Sequence, residues 1–301
     1  MMRLRSLLLT ASLATTLLVG VQPTASAADH CPKTATATVF RPGGIPLTDW
    51  RENLEFDGRG TLWVSHLTKN RVEGYAPDGT LRTTVPVNGP GGIRRGPDGR
   101  MYVNYGVSPL ARDAGIVRFD PASDRPRPEK AVTGTRGING LAIDDAGNFY
   151  LTRELATGIL KIRPDGTRDE EWTRKAAVFG TNGLALEGDH LYASVITDLR
   201  SSIVRVPLDD PSHHTTVARL SPNPLKAKVL DDLTVLDNGD VVVASFARGE
   251  LIRVDPATGG SCTLAAGLHM PTSVRAARGF GPDGDLFVTE ASGRIVRVRI
   301  G

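Results

Sequence analysis

The chain has 301 residues and carries 36 Lys and Arg against 33 Asp and Glu, a net charge of +3. That near-balance excludes the strongly basic field of a nucleic-acid or lipid-surface binder. The 33 glycines and 20 prolines suit many short strands joined by tight turns, and the two cysteines, with no His or second Cys at ligand spacing, exclude a thiolate metal centre.

Residues 1–27 read as a secretory signal peptide. Arg3 and Arg5 precede an apolar run, and Ala25-Ser26-Ala27 forms an A-x-A cleavage site. The run is short and interrupted by Thr and Ser, which argues against a membrane anchor, and Leu4 splits the Arg pair, which argues against a twin-arginine signal. The expected mature chain, 28–301, is a single secreted, extracellular domain. It keeps 34 basic against 33 acidic side chains, so neither nucleic acid nor membrane is an expected partner after cleavage.

"TATATVFR", Thr34 to Arg41, alternates like a strand and stands alone before the first repeat. Six copies of one unit follow. Their first turns read "FDGRGTLWVSH", "GPDGRMYVNYG", "DDAGNFYLTRE", "LEGDHLYASVI", "LDNGDVVVASF" and "GPDGDLFVTEA", each an acidic or glycine turn leading into apolar alternation. A second hairpin follows in each of the first five, including "VEGYAPDGTLRTT" and "ILKIRPDGTRDE". The spacing of about 40–50 residues is that of four-stranded propeller blades. The sixth copy ends early at "RIVRVRIG", and the stray N-terminal strand can supply its missing outer strand. The expected fold is therefore an all-β, six-bladed β-propeller closed by an N-terminal strand; a seventh, undetected blade is the alternative. Closure places Cys31 and Cys262 on neighbouring outer strands, so one Cys31–Cys262 disulfide is expected in an oxidising compartment.

Inner strands of a propeller surround one axis, so equivalent positions converge. Eight residues before the turn glycine stand Glu52 (from Gly60), Gly91 (from Gly99), Asn139 (from Gly147) and Asp231 (from Gly239). Matching "NGLAL" to "NGLAI" places Asn182 in register, and the sixth unit offers Pro271, Thr272 and Ser273. Two carboxylates and two amides face one point, and the two like charges of Glu52 and Asp231 repel unless a cation compensates. The all-oxygen set predicts one divalent ion, calcium first, with Mg, Mn or Zn as alternatives. Gly91 leaves a gap in the ring for substrate.

The remaining signals have simpler readings. An isolated Asn-Gly is usually turn chemistry, and the turn acids Asp57, Asp98, Asp145, Asp237 and Asp283 are explained by hairpin geometry. His66 and His190 read as structural or exposed, and His213-His214 as a solvated loop. His269 is a weaker candidate for the mouth, with Arg136, Arg153 and Glu154. Ser194 and Ser245 end strands without a nucleophile elbow.

These motifs resemble the gluconolactonase family, which includes regucalcin (senescence marker protein) and luciferin-regenerating enzyme. The resemblance implies a six-bladed propeller with one divalent ion in its central channel. "ENLEFDGRGTLWV" is similar to the family's opening segment and implies Glu52 as a metal ligand. "TNGLALEGDHLYAS" implies Asn182, "LDDLTVLDNGDVVVA" implies Asp231, and "INGLAIDDAGNFYLT" places Asn139 at substrate or at a metal-held water. Two departures stand out: Asn53-Leu54 replaces Gly-Pro, and Asp232 replaces a glycine. Arg136 is also one residue further from Asn139 than the arginine that family members often carry.

The expected activity is hydrolysis of a small-molecule lactone or related ester by a monomer. Glu52, Asn182 and Asp231 would hold the ion, which acts as a Lewis acid. Asp231 would accept the water proton, and Asn139 would bind substrate. The alternatives are a non-catalytic binding propeller with a structural calcium and a ring-opening lyase.

Overall fold

The computed structural model describes residues 35–108 and 111–300. The expected signal over 1–27 and Cys31 lie outside the described residues. Cys262 sits in an outer strand, and its pairing with Cys31 stays a proposal.

Among the described residues the strands form six antiparallel sheets. Strand β1 (Ala35–Arg41) belongs to the last of them. Blade one is β2 (Arg51–Phe56), β3 (Leu62–His66), β4 (Arg71–Tyr75) and β5 (Leu81–Pro86). Blade two is β6 (Ile93–Arg95), β7 (Met101–Tyr105), β8 (Gly115–Phe119) and β9 (Glu129–Thr133). Blade three has three strands, β10 (Leu141–Ile143), β11 (Phe149–Leu151) and β12 (Leu160–Ile162). Blade four is β13 (Thr181–Glu187), β14 (His190–Val195), β15 (Ser202–Pro207) and β16 (Thr215–Arg219). Blade five is β17 (Leu230–Val235), β18 (Val241–Ser245), β19 (Glu250–Val254) and β20 (Ser261–Ala266). Blade six is β21 (Pro271–Ala276), β22 (Leu286–Glu290) and β23 (Ile295–Ile300), completed by β1.

The N-terminal strand closes the ring as expected. β1 pairs antiparallel with β23 from Ala35↔Ile300 to Arg41↔Ile295, so the last sheet joins both ends of the described chain. Phe40 on β1 packs edge-on against Phe287 and Phe280, with centroids 5.1 and 6.0 Å away. The inner strands also touch all the way round: β2 contacts β6 and β21, β10 contacts β6 and β13, and β17 contacts β13 and β21.

Six apolar clusters fill the wedges between neighbouring blades. One, for example, joins Leu54, Phe56 and Leu62 of blade one to Phe287 and Ile295 of blade six. Burying each such side chain stabilises by about 1.5–3 kcal/mol. The alternation of every strand therefore serves two wedges, one on each face.

Blade three departs from the four-stranded expectation. After the turn of "PDGT", the returning chain makes a single bridge, Ile162↔Arg168. It then enters helix α1 (Glu170–Lys175), whose N-cap Asp169 accepts from the Trp172 N–H at 3.1 Å. Glu170 and Glu171 in the first turn and Arg174 and Lys175 in the last suit the helix dipole. Trp172 fills the place of outer-strand side chains, edge-on to Tyr150 at 5.1 Å. The cap and the buried indole together outweigh the turn signal.

Candidate metal and substrate site in the channel

The ring residues sit where inner strands lose register. β-Bulges interrupt the pairing between Arg51 and Asn53, between Thr181 and Leu184, between Leu230 and Leu233, and between Pro271 and Ser273. Glu52, Asn182, Asp231 and Thr272 lie inside these interruptions. A bulge bends the strand and re-aims its side chains, here into the channel. In blades two and three the same kink precedes the strand. Gly91 and Asn139 donate their N–H groups to Asn104 O (2.9 Å) and Thr152 O (3.1 Å).

The Asn-Gly pairs are explained by close approach of neighbouring blades. A Cβ on Gly140 would stand 2.3 Å from Asn182 O, and one on Gly183 would stand 2.7 Å from Asp231 O. Only glycine lets each kinked strand lie so near the next. Ser194 has a structural duty here, its Oγ accepting from Gly183 N at 2.8 Å.

Glu52, Asn182 and Asp231 are 5%, 2% and 5% exposed, so burial decides their chemistry. Asn139 Nδ2 donates to Glu52 Oε1 at 3.2 Å and to Glu154 Oε1 at 2.5 Å. Asn182 Nδ2 donates to the same Glu154 oxygen at 3.1 Å. Trp50 Nε1 donates to Glu52 Oε2, while the Trp50 ring stacks on Phe246 at 5.7 Å. Glu154, on the loop after β11, thus ties Asn139 to Asn182, a role the sequence reading did not assign. Its loop repeats in no other blade, so no periodic signal marks it.

The electrostatics of this mouth are unfavourable to its own charges. Burial, and then the neighbouring Glu154 charge, push the Glu52 carboxyl up to about 7, against a hydrogen bond from Trp50 that acts the other way. Burial pushes Asp231 well above the usual carboxylate range, followed by the charges of Glu52, Glu154 and Asp232. Asn182 Oδ1 is buried and has no hydrogen-bond partner. An orphaned amide oxygen beside two buried acids is a donor set that fits a hard cation. Among the described residues no three His, Cys, Asp or Glu side chains alone form a metal cluster; a site here needs the amide oxygens as well.

The sixth-blade corner adds no ligand. Thr272 Oγ1 donates to Arg51 O at 2.7 Å and lies 3.0 Å from Thr289 Oγ1. The blade-two gap is not open either, because a Cβ on Gly91 would meet Val107 Cγ1 at 2.5 Å. His269 is exposed. His66 is buried in a structural network with Glu73 (3.0 Å) and Asp49 (2.9 Å). Asp57 acts locally, its Oδ1 accepting from Arg59 N at 2.8 Å and Thr61 N at 3.0 Å, while Asp237 pairs with Arg278 of the neighbouring blade at 2.6 Å. In blade three Asp144, not Asp145, takes the Asn148 N–H.

Beneath the ring, Asp232 closes the channel. It accepts from Asn53 Nδ2 (2.9 Å), Ser273 Oγ (2.8 Å), Leu184 N (3.2 Å), and a guanidinium nitrogen each of Arg275 (2.8 Å) and Arg94 (3.3 Å). The two sequence departures, Asn53 and Asp232, therefore meet each other.

No protein-family model and no curated protein matches the chain. Solved structures do. A gluconolactonase from Xanthomonas campestris is similar with a TM-score of 0.66 at 18% identity, over 92% of this chain and 94% of the other. The chain has the fold of the gluconolactonase-type propellers. A luciferin-regenerating enzyme matches with a TM-score of 0.67 at 15% identity, over 88% of this chain and 95% of the other. A virginiamycin B lyase from Staphylococcus aureus matches at 0.60 and 11%, over 89% and 100%. The gluconolactonase-type fold thus accompanies more than one chemistry among the similar proteins.

Proposed function

We propose that the protein is a secreted, monomeric hydrolase of small lactones or related esters that depends on one divalent cation, calcium first. The observation that carries this reading is the buried convergence of Glu52 and Asp231 on a channel mouth where Asn182 Oδ1 lacks a partner. Glu52, Asn182 and Asp231 would hold the cation, which supplies Lewis acidity toward a carbonyl and acidifies water. Trp50 fixes the Glu52 carboxylate from one side, and Asn139 does so from the other.

The chain's own steps follow from burial. Asp231, turned into the channel beside the cation site, takes a proton from the water that attacks the carbonyl carbon. The ester C–O bond then breaks, and the ring oxygen leaves as an alcohol carrying that proton. Asn139, half-buried at the mouth, orients the substrate. Glu154 positions Asn139 and Asn182.

The test is a panel of aldonolactones, alkyl lactones and aryl esters, assayed with calcium and with chelator. Chelator-sensitive turnover supports the proposal. Chelator-sensitive melting without turnover would replace it with a binding propeller carrying a structural cation. Likeness to a lyase makes elimination the second reading, and product mass decides, since hydrolysis adds one water and elimination adds none.

A further inference from the structure

A cavity of about 250 Å³ opens beside Asn139 and Glu154, lined also by Val107, Ile138, Leu155 and Ala156. Its two arginines are anchored to backbone carbonyls on its rim. Arg136 spends one guanidinium nitrogen on Arg112 O at 2.8 Å. Arg153 gives Nε to Gly158 O at 3.2 Å and another nitrogen to Thr157 O. The other two polar groups, Asn139 and Glu154, are bonded to each other on the side of the ring, where Asn139 also reaches Glu52. The wall toward blade two is the Val107 methyl that faces Gly91.

Further apolar side chains are exposed at the same end of the blades. Leu155 is 75% exposed, and Ile45, Leu47, Phe179, Leu199 and Leu225 are also exposed. All lie in loops at the end of the blades where Glu52, Asn182 and Asp231 begin their strands.

We infer that this cavity is a specificity pocket that takes an apolar substituent of the substrate, so that the favoured lactones are alkyl- or aryl-substituted rather than polyhydroxylated. The inference rests on the lactone or ester reading above. On the apolar side of the cavity, Val107, Ile138, Leu155 and Ala156 gain from each methylene removed from water, and a hydroxyl laid against these four side chains finds no partner among them.

The experiment compares γ-lactones bearing hydrogen, methyl, ethyl, propyl and butyl groups with polyhydroxylated lactones of equal ring size, all with calcium. The expected kcat/KM rises about two- to fourfold per methylene and exceeds that of the hydroxylated counterparts by about tenfold. In Leu155→Asp the slope flattens, while in Leu225→Asp, on the same face but outside the cavity, it persists. A flat series in the parent protein, or preference for hydroxylated lactones, overturns the pocket and leaves the hydrolase reading standing. Absence of turnover on every lactone and ester overturns the hydrolase reading instead. Calorimetric titration with the same alkyl lactones then decides the pocket: affinity that rises with chain length and is lost in Leu155→Asp supports it, and no such rise overturns it.

Discussion

Asp231 and Asp232 are consecutive, both buried, and both turned into the channel, yet their surroundings are opposite. Asp232 receives five hydrogen-bond donors, two of them from arginine. Asp231 instead faces the charges of Glu52, Glu154 and Asp232, and burial adds to the cost of ionising it. The lower layer is a satisfied network that stabilises the channel. The upper layer is held short of positive charge by the fold itself, which is the condition for binding a cation. A bulge makes this division available, because it places two successive residues against one partner and sends them to different depths.

The largest effect that separates the layers is on turnover. Asp231→Asn keeps an oxygen and removes a charge, and kcat/KM on the best lactone is expected to fall by about 10²–10⁴-fold with folding intact by circular dichroism. Near-parental turnover would remove Asp231 as the proton acceptor. Asp232→Ala should act on stability instead. It leaves Arg94 and Arg275 with only the more distant Glu55, 4.0 and 3.7 Å away, and costs about 3–5 kcal/mol in urea unfolding. Asn53→Ala should cost about 1 kcal/mol, and a double-mutant cycle should couple the two positions by about 0.5–3 kcal/mol. Zero coupling would break the link between Asn53 and Asp232 in the lower layer.

The pH dependence sharpens the contrast. Glu52 rises from an ordinary 4.5 to about 7 in the fold, so its contribution to stability is fully present below 4.5 and lost as pH rises through about 7. Asp231 is shifted in the same direction. In chelator, the melting temperature should fall across that window, and the gain on adding calcium should grow over the same interval. A calcium effect as large at pH 5 as at pH 8 would contradict this. A smaller effect on the upper layer than that of Asp231→Asn is expected of Glu154→Gln, which keeps the size of the side chain but weakens its hold on Asn139 and Asn182. Calcium affinity by calorimetry should drop about tenfold.

The blades were legible in the sequence from their repeated turns, and positions 52, 91, 139 and 231 because a turn glycine stands eight residues after each. The closing strand was legible because the sixth repeat lacks an outer strand. Other features were hidden for local reasons. Glu154 lies in a loop outside the repeat. Asp232 reads as a mere change from glycine until the channel brings Asn53, Arg94 and Arg275 to it from three other blades. The blade-three helix hides behind a turn that begins a strand in its sister repeats. Val107 is silent because what fills the space at Gly91 comes from the loop after β7, not from the inner strand that carries the pattern.

The central claim is that the acids of the upper ring gather one divalent cation. Its most direct test is calcium titration by calorimetry of the parent protein and of Glu52→Gln/Asp231→Asn at pH 8. One equivalent bound by the parent, and none by the double variant at the same concentrations, is the predicted result. Equal binding by both, or no binding by the parent to calcium, magnesium, manganese or zinc, would contradict it.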